Sequence, residues 1–156
     1  LQTVDINTVV KSAITLTSPL IKKATERFHA NFGKNIPTFR GRFQRLEQVI
    51  INLIQNSCQA LPDNQKGIYI ATYYKLKTGE IVVTVTDDGT GIDASNLKHI
   101  KDPFFTTRRD SGGTGLGLSI SSNIVSNHGG TLEFDSQVGK GTTATITLPV
   151  IENAGT

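Results

Sequence analysis

Four stretches of the chain combine residue types and spacings that could do chemistry. In the first, Gln48, Asn52, Asn56 and Gln59 recur in steps of four, four and three residues. That spacing aligns them on one helical face. The face is all amide and uncharged, where an ordinary solvent face would carry strong helix formers such as Lys and Glu. An Asn side-chain oxygen can ligate Mg²⁺, which takes oxygen donors and usually keeps waters and substrate phosphates. On its own the stripe also fits a polar face without function.

The second is Asp87-Asp88-Gly89-Thr90-Gly91. Asp87 follows Val83 and Val85 in period two, so it points to the core side of a strand. An unpaired carboxylate there is expensive and needs a donor. The exocyclic amine of an adenine is one candidate; the amides of a tight turn are the other. Gly89 and Gly91 would let backbone approach a flat ligand. The third stretch, Asp102-Pro103-Phe104-Phe105-Thr106-Thr107-Arg108, sets two aromatics in a glycine-flanked loop. They must bury somewhere, and a small satellite core would serve.

The fourth is Gly112-Gly113-Thr114-Gly115-Leu116-Gly117-Leu118-Ser119, alternating glycines that run into a helix. A helix start offers free N–H groups and the positive end of a dipole, which suit phosphates. No Gly-Lys-Ser/Thr ends the run, so it is not a P-loop. The glycines are spaced by two and follow a loop, so it is not a dinucleotide fingerprint. Taken alone, a glycine run is a weak signal.

The elements that must hold these residues can be read from periodicity. Residues 5–26 form a first helix capped by Asp5 or Asn7, with Pro19 placed to kink or split it. Residues 27–32 and 36–39 read as short strands around the turn Gly33-Lys34-Asn35. Residues 42–61 form the clearest helix, stopped by Pro62. Residues 66–75 and 80–87 form a hairpin around Thr78-Gly79. A short helix spans 94–100, and residues 101–114 lack any period and read as a loop. A helix over 116–128 ends at Gly129-Gly130. Strands over 131–135 and 142–150 close the chain through Gly139-Lys140-Gly141. Hairpins with helices between them predict an α+β two-layer sandwich. Its sheet is mixed, mostly antiparallel, with about five strands and about three helices on one face.

Composition bounds the rest. The 156 residues suit one domain, and 37% apolar content suits one core. No apolar run approaches the roughly 20 residues that span a bilayer, so no direct membrane contact is expected of this domain. The single cysteine, Cys58, cannot form an internal disulfide and reads as a buried small hydrophobe. The net charge of +3 suits a polyanionic ligand. Lysines and arginines occur singly or in pairs without interleaved aromatics, so no nucleic acid is expected as a partner.

The four stretches occur in order, and together they resemble the GHKL superfamily of gyrase, Hsp90, histidine kinases and MutL, most nearly the histidine kinases. NLIQNSCQAL (52–61) resembles the N box and DDGTG (87–91) the G1 box. PFFTTR (103–108) resembles the F box and GTGLGLSI (113–120) the G2 box. GKGTTATITLP (139–149) resembles the final hairpin. The resemblance covers essentially the whole chain, as a single ATP-binding domain with a Bergerat-like fold. It implies Asn56 as the main Mg²⁺ ligand, with Asn52 assisting, and ATP as the nucleotide. Asp87 would bind the adenine amine, Gly89 and Gly91 would lie near the ring, and Thr142 would help hold a water beside it. Gly113, Thr114, Gly115 and Gly117 would wrap the phosphates, with Leu116 and Leu118 anchoring the helix. An ATP lid would span about 101–114, bringing Phe105, Thr107 and Arg108 to the nucleotide.

Two departures matter. The family's ATPases carry a water-activating glutamate where this chain has Asn52. An amide cannot act as a general base, so phosphoryl transfer is favoured over hydrolysis. The F box usually has an aromatic residue where this chain has Lys101. No histidine stands beside an acidic residue at the start of a long helix; His29, His99 and His128 read as structural. The resemblance therefore implies γ-phosphoryl transfer from ATP to a histidine on a phosphoacceptor and dimerisation domain absent from this chain. A response regulator receiver domain would then take the group. The expected setting is the cytoplasm, including as the cytoplasmic part of a longer, membrane-anchored sensor. A GHKL-type ATPase, an anti-sigma type serine kinase and a non-catalytic nucleotide-binding module are the rival readings.

Overall fold

The computed structural model describes residues 1–102 and 117–150. The chain runs β1 (Gln2–Val4), α1 (Ile6–Ala24), β2 (Phe28–Phe32), β3 (Phe39–Gly41), α2 (Phe43–Ala60), β4 (Ile68–Lys75) and β5 (Glu80–Asp87). It continues through α3 (Ala94–Leu97), α4 (Gly117–Asn127), β6 (Thr131–Gln137) and β7 (Gly141–Pro149). The main sheet has the order β2-β4-β5-β7-β6. Only the β2–β4 pairing is parallel; the others are antiparallel. This is the expected α+β sandwich with a five-stranded mixed sheet. It carries four helices among the described residues, of which α3 is a single short turn.

Strand alternation decides what faces the helices. Ile68 and Ile70 of β4, Ile81, Val83 and Val85 of β5, and Ala144, Ile146 and Leu148 of β7 are buried. Leu46, Val49, Ile50, Leu53 and Ile54 of α2 recur at helical spacing and are buried against them. The apolar stripe of α2 thus lies along the core, and it brings Asn56 and Ser57 over the ends of β5 and β7.

The structure corrects the expected elements in four places. Residues 27–32 and 36–39 do not form a hairpin. β2 pairs in parallel with β4, while β3 begins at Phe39 and pairs with β1 at the N-terminus. Gly33 is held against β4 by its N–H to Thr72 Oγ1 at 3.0 Å, so the chain leaves the sheet there and does not turn back. Second, Pro19 neither splits nor ends α1. It lies on the exposed face of the helix, where water can satisfy the carbonyl that its missing N–H leaves. Third, α3 stops at Leu97, short of Ile100. Fourth, β6 runs on to Gln137, two residues past its expected end.

Each histidine has a local structural contact. His29 stacks on Tyr69, with ring centroids 5.7 Å apart. His99 Nδ1 lies 2.9 Å from Asp102 Oδ2. His128 Nε2 accepts the Arg42 N–H at 3.1 Å, so Nδ1 carries the proton and donates it to the Ile124 carbonyl at 2.8 Å. That ring ties the end of α4 to the start of α2.

Candidate functional site

The carboxyl end of β5 places Asp87 on the core side, as its period with Val83 and Val85 requires. It is 4% exposed. Its Oδ1 accepts the Gly89 N–H at 2.9 Å. The next residue turns outward, where Asp88 Oδ2 accepts from Tyr69 Oη at 3.0 Å and from the Gly67 N–H at 3.3 Å. Register sets Asp87 opposite Thr142 on β7, and Thr142 opposite Ser136 on β6. Cross-strand partners share a face, so the three polar side chains form one row across three strands.

One turn of α2 stands over this row. Asn56 and Ser57 line a cleft together with Asp87, Thr142, Leu118 and Phe134. Leu53, Ile92 and Ile100 complete much of its apolar wall. The cleft is open to solvent, and the space within it is about 40 Å³, against the roughly 300 Å³ at which small-molecule pockets begin.

Asn52, one turn earlier on α2, does not line the cleft. Its Nδ2 donates to the Gly117 carbonyl at 3.3 Å and to Ser121 Oγ at 3.1 Å. Both amide protons are thus directed to the start of α4. Its oxygen is the atom that can turn towards a cation. Asn56 and Asn52 together offer two neutral oxygens. Among the described residues no group of three His, Cys, Asp or Glu side chains could hold a metal. This donor set fits an ion that brings most of its ligands with it as phosphates and water.

Two glycines near Asp87 are demanded by the protein before any ligand is considered. A Cβ on Gly91, whose φ is +76°, would lie 2.1 Å from the Gln137 carbonyl oxygen. One on Gly141, φ +107°, would lie 1.9 Å from the Asp87 carbonyl oxygen. Gly89 is crowded to a lesser degree, with the Ala60 carbonyl oxygen 2.6 Å from the place of its Cβ. The end of β5, the turn after it and the β6–β7 turn are packed backbone to backbone.

Cys58 lies on the buried side of the same helical turn. Burial, with a smaller contribution from the Asp87 charge, pushes its thiol from 9.0 up to about 11. A thiol so poised is a poor nucleophile at neutral pH, in line with the reading as a small hydrophobe.

Of the residues singled out from the sequence, Asn56, Asp87, Leu118 and Thr142 line the cleft. Asn52 and Gly117 meet each other at its edge. Phe105, Thr107, Arg108, Gly113, Thr114, Gly115 and Leu116 lie outside the described residues. Sequence reasoning missed Ser57, Ile92, Ile100, Phe134 and Ser136. Ser136 was within reach, since it continues the inward period of Leu132 and Phe134. The expected end of the strand at residue 135 hid it. Lys101, the departure from the F box, donates its Nζ to the Leu132 carbonyl on the edge strand β6 at 3.0 Å.

Residues 41–152 match the family model described as histidine kinase-, DNA gyrase B-, and HSP90-like ATPase. The sensor histidine kinase ZraS of Escherichia coli K12 is 39% identical over 150 residues, covering 96% of this chain and 31% of ZraS. Sporulation kinase E of Bacillus subtilis is 32% identical over 146 residues, covering 94% of this chain and 19% of that protein. The chain thus spans less than a third of the length of these relatives. The catalytic domain of the histidine kinase ThkA superposes with a TM-score of 0.80 at 27% identity, covering 95% of this chain and 96% of that one. Family model, relatives and fold agree with the four ordered boxes, and the chain belongs to the histidine kinase-, gyrase B- and HSP90-like ATPase family, in its histidine-kinase form.

Proposed function

We propose that this chain binds ATP with Mg²⁺ and presents the γ-phosphoryl group to a histidine on a separate phosphoacceptor domain. The observation that carries the reading is that Asn56 and Asp87 line one cleft. Asp87 gives that cleft a buried acceptor for an exocyclic amine, and apolar side chains give it walls for a ring. Asn56, with Asn52 beside it, supplies oxygen donors suited to Mg²⁺. The ion, when bound, neutralises phosphate charge. The start of α4 carries no acidic residue in its first turn, so its N–H groups and dipole are left to favour an anion. The role of an ATP lid is proposed for residues 101–114 from the resemblance alone, since 103–114 lie outside the described residues.

The chain's own part in transfer is orientation. Asp87 fixes the base, and Asn52 fixes the start of α4 against α2. Positioning of this kind is the main contribution of protein to phosphoryl transfer. The nucleophile comes from elsewhere: His128 is spent on joining α4 to α2, His29 stacks on the outer edge of the sheet, and His99 meets Asp102 within a single turn after the short α3. Hydrolysis is disfavoured because Asn52 is an amide whose protons are committed to α4. The histidine domain belongs to the same full-length protein, and a response regulator receiver domain accepts the group next. This domain acts in the cytoplasm, including as the cytoplasmic part of a membrane-anchored two-component sensor.

The test mixes the chain with γ-labelled ATP and a histidine phosphoacceptor domain. Acid-labile label on the added domain, and none on this chain alone, is the expected result. Acid-stable label on a serine, or steady phosphate release by the chain by itself, contradicts it.

A further inference from the structure

We infer that Ser136 is a positioning residue that sets the base preference of the cleft by fixing the direction of the Thr142 hydroxyl. The inference rests on the reading of the cleft as a purine site. Ser136 Oγ has three partners: the Ile92 N–H at 2.8 Å, the Gly141 carbonyl at 2.9 Å and Thr142 Oγ1 at 2.7 Å. A serine hydroxyl has one proton and two acceptor lone pairs. The Ile92 N–H can only donate and the Gly141 carbonyl can only accept. All three contacts are hydrogen bonds in one arrangement alone: Ser136 donates to Gly141 and accepts from both Ile92 and Thr142.

The Thr142 proton is therefore turned away from the cleft. Thr142 lines that cleft and shows it only lone pairs. Its neighbour in the row, Asp87, is a carboxylate and also accepts. The polar end of the cleft is thus made of acceptors from two adjacent strands. A purine with an amine at its six-position meets this end with donors. A purine with an oxo group there sets a third acceptor against two, and its one donor on that edge is the neighbouring N1–H. Ser136 itself stands behind Thr142, joined to backbone on both sides, and acts through Thr142 without touching the ligand.

The test measures the dissociation constants of ATP and inosine triphosphate, which differ at the six-position, for wild type and variants. Wild type is expected to prefer ATP. Ser136→Ala frees the Thr142 proton to turn into the cleft and donate to the oxo group. It is expected to narrow the preference by roughly five- to tenfold, the range for one polar contact whose sign reverses. Ser136→Thr keeps the hydroxyl and restores the wild-type ratio. A merely structural serine would weaken both nucleotides equally, and an unchanged ratio in Ser136→Ala overturns the inference.

Thr142→Val gives a check that does not depend on Ser136→Ala folding. It removes an acceptor and should also narrow the ratio. A wider ratio there means that Thr142 donates into the cleft, and the assignment is wrong. A wild type indifferent to the six-position refutes instead the underlying reading of Asp87.

Discussion

Asn52 Nδ2 lies 3.1 Å from Ser121 Oγ, and the same nitrogen lies 3.3 Å from the Gly117 carbonyl. One amide group therefore joins the middle of α2 to the first turn of α4. Both helices contribute walls to the cleft, α2 through Leu53, Asn56 and Ser57 and α4 through Leu118. Replacement by alanine removes both donors from a half-buried site. Asn52→Ala should lower unfolding free energy by about 1–2 kcal/mol, read by urea denaturation without nucleotide. Asn52→Asp should be at least as damaging, because a carboxylate cannot donate to the Gly117 carbonyl. A variant as stable as wild type would show that the tie is idle.

Gly139 and Gly141 separate two effects within one turn. Both have positive φ, +81° and +107°. A Cβ on Gly139 meets nothing within 4 Å, whereas one on Gly141 meets the Asp87 carbonyl at 1.9 Å. Gly139→Ala should cost about 1 kcal/mol from backbone strain alone. Gly141→Ala should cost several times more and displace Asp87, seen as thermal unfolding at much lower temperature. Equal losses would mean that the clash is relieved without consequence.

Cys58 gives a pH dependence with a definite sign. Its folded-state value is raised from 9.0 to about 11. The folded protein holds the proton more tightly than the unfolded chain. The resulting stability is fully present below pH 9 and is lost as pH rises from about 9 to about 11. Denaturant titrations across that range should show the loss, and Cys58→Ala should flatten it. A slope unchanged in Cys58→Ala would assign the effect to other groups.

Asn56→Ala removes an oxygen donor from the cleft. The affinity for ATP in the presence of Mg²⁺ should fall by about tenfold or more, the scale of a lost interaction with a charged group. Affinity measured in excess chelator should change little. A loss of equal size with and without the ion would mean that Asn56 packs against the nucleotide and does not serve the metal.

Much of this site could be read from the sequence because its residues sit on regular periods. Asp87 continues the alternation of Val83 and Val85, and Thr142 that of Ala144, Ile146 and Leu148, so their shared face needed no structure. Asn56 was legible from helical spacing on the clearest amphipathic run. What stayed hidden depends on tertiary pairing. The partner of β3 is β1, more than thirty residues away, and nothing local to residues 36–41 announces it. The Asn52 contact to Ser121 crosses 69 positions. Ser136 was lost to an error of two residues at a strand end, where propensity is weakest. The cleft's walls, Ile92 and Ile100 from the stretches flanking α3 and Phe134 from β6, carry no shared pattern.

The most direct test of the ATP site is calorimetric titration of the chain with ATP and Mg²⁺, repeated with Asp87→Asn. Saturable binding at submillimolar ATP, weakened by about tenfold or more in the variant, is the expected result. Absence of binding at millimolar ATP, or an affinity that Asp87→Asn leaves unchanged, contradicts a nucleotide site at the end of β5.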